Sequence, residues 1–136
     1  MNIKEKINQW KDNLSMLEGM DKFQYLVDVA KDHPPMDSQF KIESFKIKGC
    51  ASSLWVAPVY NEDKINFLMD ADAFITKGYA KIVVDIFDGE KMQDIIDYSE
   101  MIDELGIKEL LTPQRQSGLG NLVKTIKAYC TLKIDN

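Results

Sequence analysis

Apolar residues at Ile3, Ile7, Trp10 and Leu14 recur at steps of four, three and four, which is one face of an amphipathic helix. Gly19 ends this region and Asp21 is placed to cap a second helix, whose period continues through Phe23, Leu26, Val27 and Ala30. Pro34-Pro35 stops it, because proline lacks a backbone donor and restricts the residue before it. The pattern then changes to period two. Phe40 and Ile42 alternate with polar residues, and Phe45 and Ile47 do so again after a slip at Glu43-Ser44, which reads as a strand with a bulge or break. Residues 54–60 predict a second strand, with Pro58 marking an edge or bulge position. Residues 61–64 form a turn candidate, and Ile65, Phe67 and Met69 alternate as a third strand. Three consecutive strands with short links predict an antiparallel meander.

From Asp72 the period is helical again. Asp72 is a natural N-cap, Ile75, Tyr79, Ile82, Val83 and Ile86 mark a buried stripe, and Asp88-Gly89 closes it. Short helices are expected over residues 92–97 and 99–105, the latter ending at Gly106. After a break at Thr112-Pro113, Leu119, Leu122, Val123, Ile126 and Cys130 share one face of a last helix. The expected fold class is α+β: a single domain over residues 1–136, with helices packed on one face of a small three-stranded antiparallel sheet.

Composition narrows the function classes. The 136 residues suit one core, and 45% hydrophobic with 29% charged residues is the balance of a folded chain, not a disordered one. A formal net charge of -5 provides no general attraction for nucleic acid or anionic lipid, so neither is an expected partner. No run of about 18 apolar residues is present to cross a membrane. Met1-Asn2-Ile3-Lys4-Glu5-Lys6 lacks an apolar signal core, and a cytoplasmic location is expected.

The two cysteines, Cys50 and Cys130, form no CxxC pair. With His33 they make three soft ligands, none at zinc-site spacing, so no metal is expected. His33 reads as a helix-end residue before the prolines, and Cys130 as part of an apolar stripe. Cys50 differs. It sits in Gly49-Cys50-Ala51-Ser52-Ser53-Leu54-Trp55, between two strand-like stretches and behind a glycine suited to positive φ or a close turn. A free cysteine is often just a small buried hydrophobe, but a thiol on a turn can be presented to another molecule. Trp55 reads as core or loop support.

These residues resemble a family. Residues 49–55 look like the sulfur-acceptor motif of the SufE family, usually written GCxSxVW. Met69-Asp70-Ala71-Asp72 followed by Ile75-Thr76-Lys77-Gly78 resembles its D-S-D and I-V-K-G segment. Leu111-Thr112-Pro113-Gln114-Arg115-Gln116-Ser117-Gly118-Leu119 resembles its L-[ST]-P-S-R-x-x-G-L block. The blocks occur in family order over about residues 20 to 130. The resemblance implies a fold shared with IscU-type scaffolds and a role in iron–sulfur cluster assembly. Cys50 would accept sulfane sulfur from a cysteine desulfurase, SufS- or CsdA-like, stimulate that enzyme, and pass the sulfur to a SufB-like scaffold. The chain itself would be an accessory protein without a cofactor, because the pyridoxal phosphate belongs to the desulfurase. Ala51 and Ser53 stand where family members often carry Gln.

In this reading the Cys50 thiolate attacks the outer sulfur of a persulfide on the partner, by the logic of thiol–disulfide exchange. A nearby cation would favour the thiolate. Arg115 is the candidate, the alternative being a solvated surface arginine paired with a carboxylate. Asp72 either caps the following helix or holds the Cys50 loop closed, and it can do both. A competing reading makes the chain a peroxide-reducing or redox-sensing thiol protein. It needs Cys130 as the resolving thiol.

Overall fold

A computed structural model describes residues 1–50, 52–98 and 105–135. Helix α1 (Ile3–Ser15) is set by a capping box in which Asn2 and Glu5 satisfy each other's backbone donors, and it buries Ile3, Ile7 and Leu14 as the periodicity requires. Helix α2 (Met20–Asp32) starts from Gly19 at φ 54°. Asp21 therefore does not cap it; its carboxylate lies in the first turn, where the helix dipole favours an anion. His33 is the C-cap, as expected of a helix-end residue, and its Nε2 lies 3.0 Å from the Met69 carbonyl. Burial of its ring lowers its pKa from the usual histidine value, outweighing that bond.

Strands β1 (Leu54–Asn61) and β2 (Lys64–Ala71) form a hairpin in register from Leu54↔Ala71 to Asn61↔Lys64, turning through Glu62 and Asp63. The first of the three expected strands is the one that differs from the sequence expectation. Residues 40–47 do not form one: the segment folds into two short 3-10 turns, Ser38–Phe40 and Glu43–Phe45, and touches the sheet only at an isolated Lys46↔Trp55 bridge. The slip at Glu43-Ser44 is the reason, since it breaks the alternation a strand needs to keep one face inward. The sheet has the order β1-β2-β3, and β3 is Glu90–Lys91, paired antiparallel to Ile65 and Lys64. Two residues carry no period, so no sequence pattern marks them.

The carbonyls of Leu54 and Val56 bond away from β2, to the Ile47 N–H at 2.8 Å and the Tyr129 hydroxyl at 2.8 Å. Pro58 has the same parity, so its missing N–H falls on the outer edge, where proline costs no ladder bond.

Helix α3 (Phe74–Phe87) is the centre of the core, with Tyr79, Ala80, Ile82, Val83, Val84, Ile86 and Phe87 buried. It packs on the sheet face carrying Leu54, Val56, Ile65, Phe67 and Met69, and those residues join one hydrophobic cluster with α1, α2 and the last helix. Gly78 lets α2 approach: a Cβ there would overlap the backbone of Leu26. Helix α4 (Met92–Asp97) follows β3 as expected. The helix expected over residues 99–105 lies almost wholly outside the described residues. A 3-10 turn, Lys108–Leu110, leads to α5 (Pro113–Ile134), capped by Thr112 with Pro113 at its first position. Leu119, Leu122, Ile126 and Cys130 are buried along it.

Candidate functional site

The Cys50 loop hangs between the Ile47–Leu54 contact and the start of α3 and α5. Gly49 has φ 73°, the turn conformation its position suggested, and the Asn121 amide fills the space beside it, 2.5 Å from where a Cβ would stand. Asn121 Nδ2 donates to the Lys48 carbonyl at 2.7 Å, tying the loop's first arm to α5. The second arm is tied to α3. Ser52 Oγ donates to Thr76 Oγ1 at 2.7 Å, and the Ser53 N–H donates to Asp72 Oδ1 at 3.0 Å, while the Asp72 N–H returns a bond to the Ser53 carbonyl at 3.1 Å.

Asp72 is therefore not the helix cap. The N-cap of α3 is Ala73, with no side-chain cap bond, and the Asp72 carboxylate is spent on the loop. Of the two readings open at the sequence, the geometry supports the loop-holding one. The reason is positional: Asp72 is one residue too early to reach the first free N–H groups of α3.

The thiol itself is half-buried and turned towards the core. Sγ lies 3.5 Å from the fully buried Tyr79 hydroxyl and rests against α5 at Gly118. A Cβ at Gly118 would sit 2.9 Å from Sγ, 3.1 Å from the Tyr79 oxygen and 3.2 Å from Cys50 Cα. Glycine is thus the residue that makes room for the sulfur, a physical reason for the glycine of the third motif block.

Arg115 is half-buried in the first turn of α5, its N–H held by Thr112 Oγ1 at 3.3 Å. Its Nε is buried and has no hydrogen-bond partner among the described residues. Its charge reaches Tyr79, where it opposes the upward pull of burial and of Cys50 on the phenol; burial dominates and Tyr79 stays far above the ordinary phenol value, a proton donor at all physiological pH.

Asp70 anchors the frame around the loop. It is 3% exposed and accepts from Lys41 Nζ at 3.0 Å, Lys77 Nζ at 3.1 Å, the Met36 N–H at 3.1 Å and the Ala71 N–H at 2.8 Å. Burial alone would raise its pKa; the four donors outweigh that and bring it down to about 2. Lys41 also lies 5.4 Å over the Trp55 ring, so the carboxylate joins residues 36–41, the hairpin end and α3 behind the loop. Trp55, half-buried beneath Lys41, supports the loop as its position suggested.

Tyr79, Thr76, Asn121, Gly118 and Asp70 were not singled out as site residues by the sequence. Two signals were present: a tyrosine in an aliphatic stripe carries a hydroxyl that needs a partner, and Thr76 stands where the family pattern has Val. Cys130 is fully buried, and burial pushes its thiol up to about 11. Among the described residues no three His, Cys, Asp or Glu side chains gather into a metal-binding group, and no helix is long and apolar enough to cross a membrane.

Fold and site together define an α+β protein built to hold one thiol in a tethered, sheltered loop. The chain belongs to the SufE family: residues 8–130 match its model, described as an Fe-S metabolism associated domain. It is 30% identical over 133 residues to the cysteine desulfuration protein SufE of Wigglesworthia glossinidia brevipalpis, covering 94% of this chain and 92% of that one. It is 30% identical over 129 residues to a SufE-like protein of Rhizobium meliloti, covering 90% and 92%. It is 31% identical over 118 residues to SufE-like protein 1, chloroplastic/mitochondrial, of Arabidopsis thaliana; that match covers 83% of this chain but only 31% of the plant protein. The fold matches the solution structure of a Thermus thermophilus protein with a TM-score of 0.78 at 19% identity, over 96% of this chain and 97% of that one.

Proposed function

We propose that this chain is a sulfur acceptor and carrier that takes persulfide sulfur from a pyridoxal-phosphate cysteine desulfurase onto Cys50, stimulates that enzyme, and hands the sulfur on for iron–sulfur cluster assembly in the cytoplasm. The observation that carries it is the Cys50 loop: a thiol behind a positive-φ glycine, packed under Gly118 and tied by three separate contacts to Asp72, α3 and α5.

The Cys50 thiolate attacks the outer sulfur of the partner's cysteine persulfide. A bond forms between Sγ and that sulfur, the partner's S–S bond breaks, and its electron pair leaves on the partner's thiolate, which takes up a proton or is used again. Sulfur changes hands with no net oxidation, so no cofactor is needed on this chain. The resting loop keeps the thiol inward, which limits oxidation. Docking must loosen the contacts at Asp72, Thr76 and Asn121 for the sulfur to meet its donor. The donor is SufS- or CsdA-like and the downstream acceptor SufB-like.

The redox reading needs a resolving thiol. Cys130 is wholly buried in α5 and its thiol is pushed up to about 11, so it is poorly suited to that role.

The test is intact-protein mass spectrometry after incubation with cysteine and a desulfurase. Wild type and Cys130→Ala should gain sulfur and Cys50→Ser should not. A folded, reduced wild type that gains none with several desulfurases would refute the reading.

A further inference from the structure

The charge around the Cys50 loop is opposite in sign to the charge of the whole chain. Residues 41–55 carry Lys41, Lys46 and Lys48 against one acid, Glu43. The stretch of α5 that meets the loop, residues 113–124, carries Arg115 and Lys124 and no acid. Asp72 holds the loop's second arm, and Asp70 behind it is shared by Lys41 and Lys77. Six cations against three acids give the loop's surround a balance of +3, and with -5 for the whole chain the remainder carries -8.

The cations are open to an incoming surface. Lys46 and Lys48 flank the buried Ile47, so both stand on the outer side of the segment, and both are exposed. Lys124 is exposed one turn beyond Asn121, whose amide holds the Lys48 carbonyl. Arg115 stands one turn ahead of Gly118, against which the sulfur rests. None of these four is in an ion pair among the described residues. Two large apolar side chains are left exposed beside them, Ile42 in the lysine segment at 44% and Phe74, two residues after Asp72, at 55%. Apolar groups rimmed by charge suit a protein surface better than a small anion.

We propose that the rim of the Cys50 loop is a docking surface for an acidic protein surface. The proposal deepens the sulfur-acceptor reading and rests on it for the partner: the acidic surface is the one that surrounds the donor's persulfide. Range decides which charges an incoming molecule feels. At about 0.15 M salt, charges are screened beyond about 8 Å, so a compact acidic patch meets the cations at the loop and not the acids elsewhere. A long polyanion such as nucleic acid spans both and is repelled by the remainder. The cationic rim therefore turns the loop towards its partner and raises the encounter rate.

The test compares alkylation of Cys50 by iodoacetate, an anion, with alkylation by neutral iodoacetamide. One thiolate in one open loop attacks both reagents, so ionisation and loop opening cancel in the ratio of the two rates. Lys46→Glu combined with Lys48→Glu reverses two charges within about 10 Å of the sulfur, two to four residues along the chain. The double variant should lower the iodoacetate-to-iodoacetamide ratio about sevenfold at about 0.01 M salt and hardly at all at about 1 M, where screening sets in at about 3 Å. Lys124→Glu, on a different element, should act in the same direction with a smaller effect, and it carries the test if the double variant does not fold. Sulfur loading by a cysteine desulfurase and cysteine should slow at least as much in the double variant, and added salt should slow it in wild type. A ratio that both reversals leave unchanged would overturn the cationic rim. Loading that neither the reversals nor salt alters would overturn the acidic partner. A wild type that gains no sulfur at all refutes the acceptor reading, while the reagent ratio still decides the rim by itself.

Discussion

Gly118→Ala tests the packing of the thiol most directly. The new Cβ would stand 2.9 Å from Cys50 Sγ and 3.1 Å from the Tyr79 oxygen, closer than such contacts allow. Tyr79 is fully buried in α3 and cannot retreat, whereas Cys50 sits on a loop held by a few hydrogen bonds. The loop is the part that yields. Overpacking of this kind costs about 1–3 kcal/mol, and the cost falls on the closed state alone. It therefore shifts the loop towards open by roughly five- to a hundredfold. Alanine in a helix interior is favoured over glycine by about 1 kcal/mol. That gain applies to open and closed loops alike, so it supports global stability without restoring closure. The assay is timed alkylation of Cys50 read by mass spectrometry, beside a thermal melt. Alkylation should accelerate at least severalfold, while the net of the two terms, about 0–2 kcal/mol, leaves Tm level or somewhat lowered. An unchanged alkylation rate with a lowered Tm would refute the reasoning, because the helix and not the thiol would then have absorbed the Cβ.

The Asp72 contact should be graded by what replaces it. Asp72→Asn keeps an oxygen acceptor for the Ser53 N–H and should speed Cys50 alkylation modestly, whereas Asp72→Ala removes the acceptor and should speed it more, by roughly fivefold; equal rates in a folded Asp72→Ala protein would remove Asp72 from loop closure. Asp70 sets an acid limit on the frame. Its pKa falls from 3.8 to about 2 on folding, so its stabilisation is fully present above about pH 4 and is lost as pH falls towards 2. The loss is about 2 kcal/mol. Urea denaturation from pH 6 down to pH 2 should show this decline in wild type and a shallower one in Asp70→Asn, and parallel curves would count against the pairing with Lys41 and Lys77.

Much of the fold was legible because local periodicity and capping decide it. The four long helices follow stripes such as Ile3, Ile7 and Leu14 or Leu119, Leu122 and Ile126, and Pro58 sits on the edge that its missing donor demands. The Cys50 turn was legible too, because Gly49 is the residue type that tolerates its φ of 73°. Residues 40–47 alternate well enough to suggest a strand, yet the slip at Glu43-Ser44 lets 3-10 turns win, and the place in the sheet goes to Glu90–Lys91, too short to show a pattern. Asp72 has the identity of a cap but stands one residue outside that role.

The sequence by itself determined which thiol is placed on a turn, which stripes are buried, and, through three motif blocks in order, the family. Those properties reside in residue type and short spacing. Only the tertiary structure decided which way the thiol faces and what holds it. Tyr79, Gly118 and Asn121 are 29, 68 and 71 positions from Cys50 along the chain, and they reach its loop only because α3 and α5 pack against each other and the sheet. Contacts of that separation are set by the packing of whole elements and leave no local period to read.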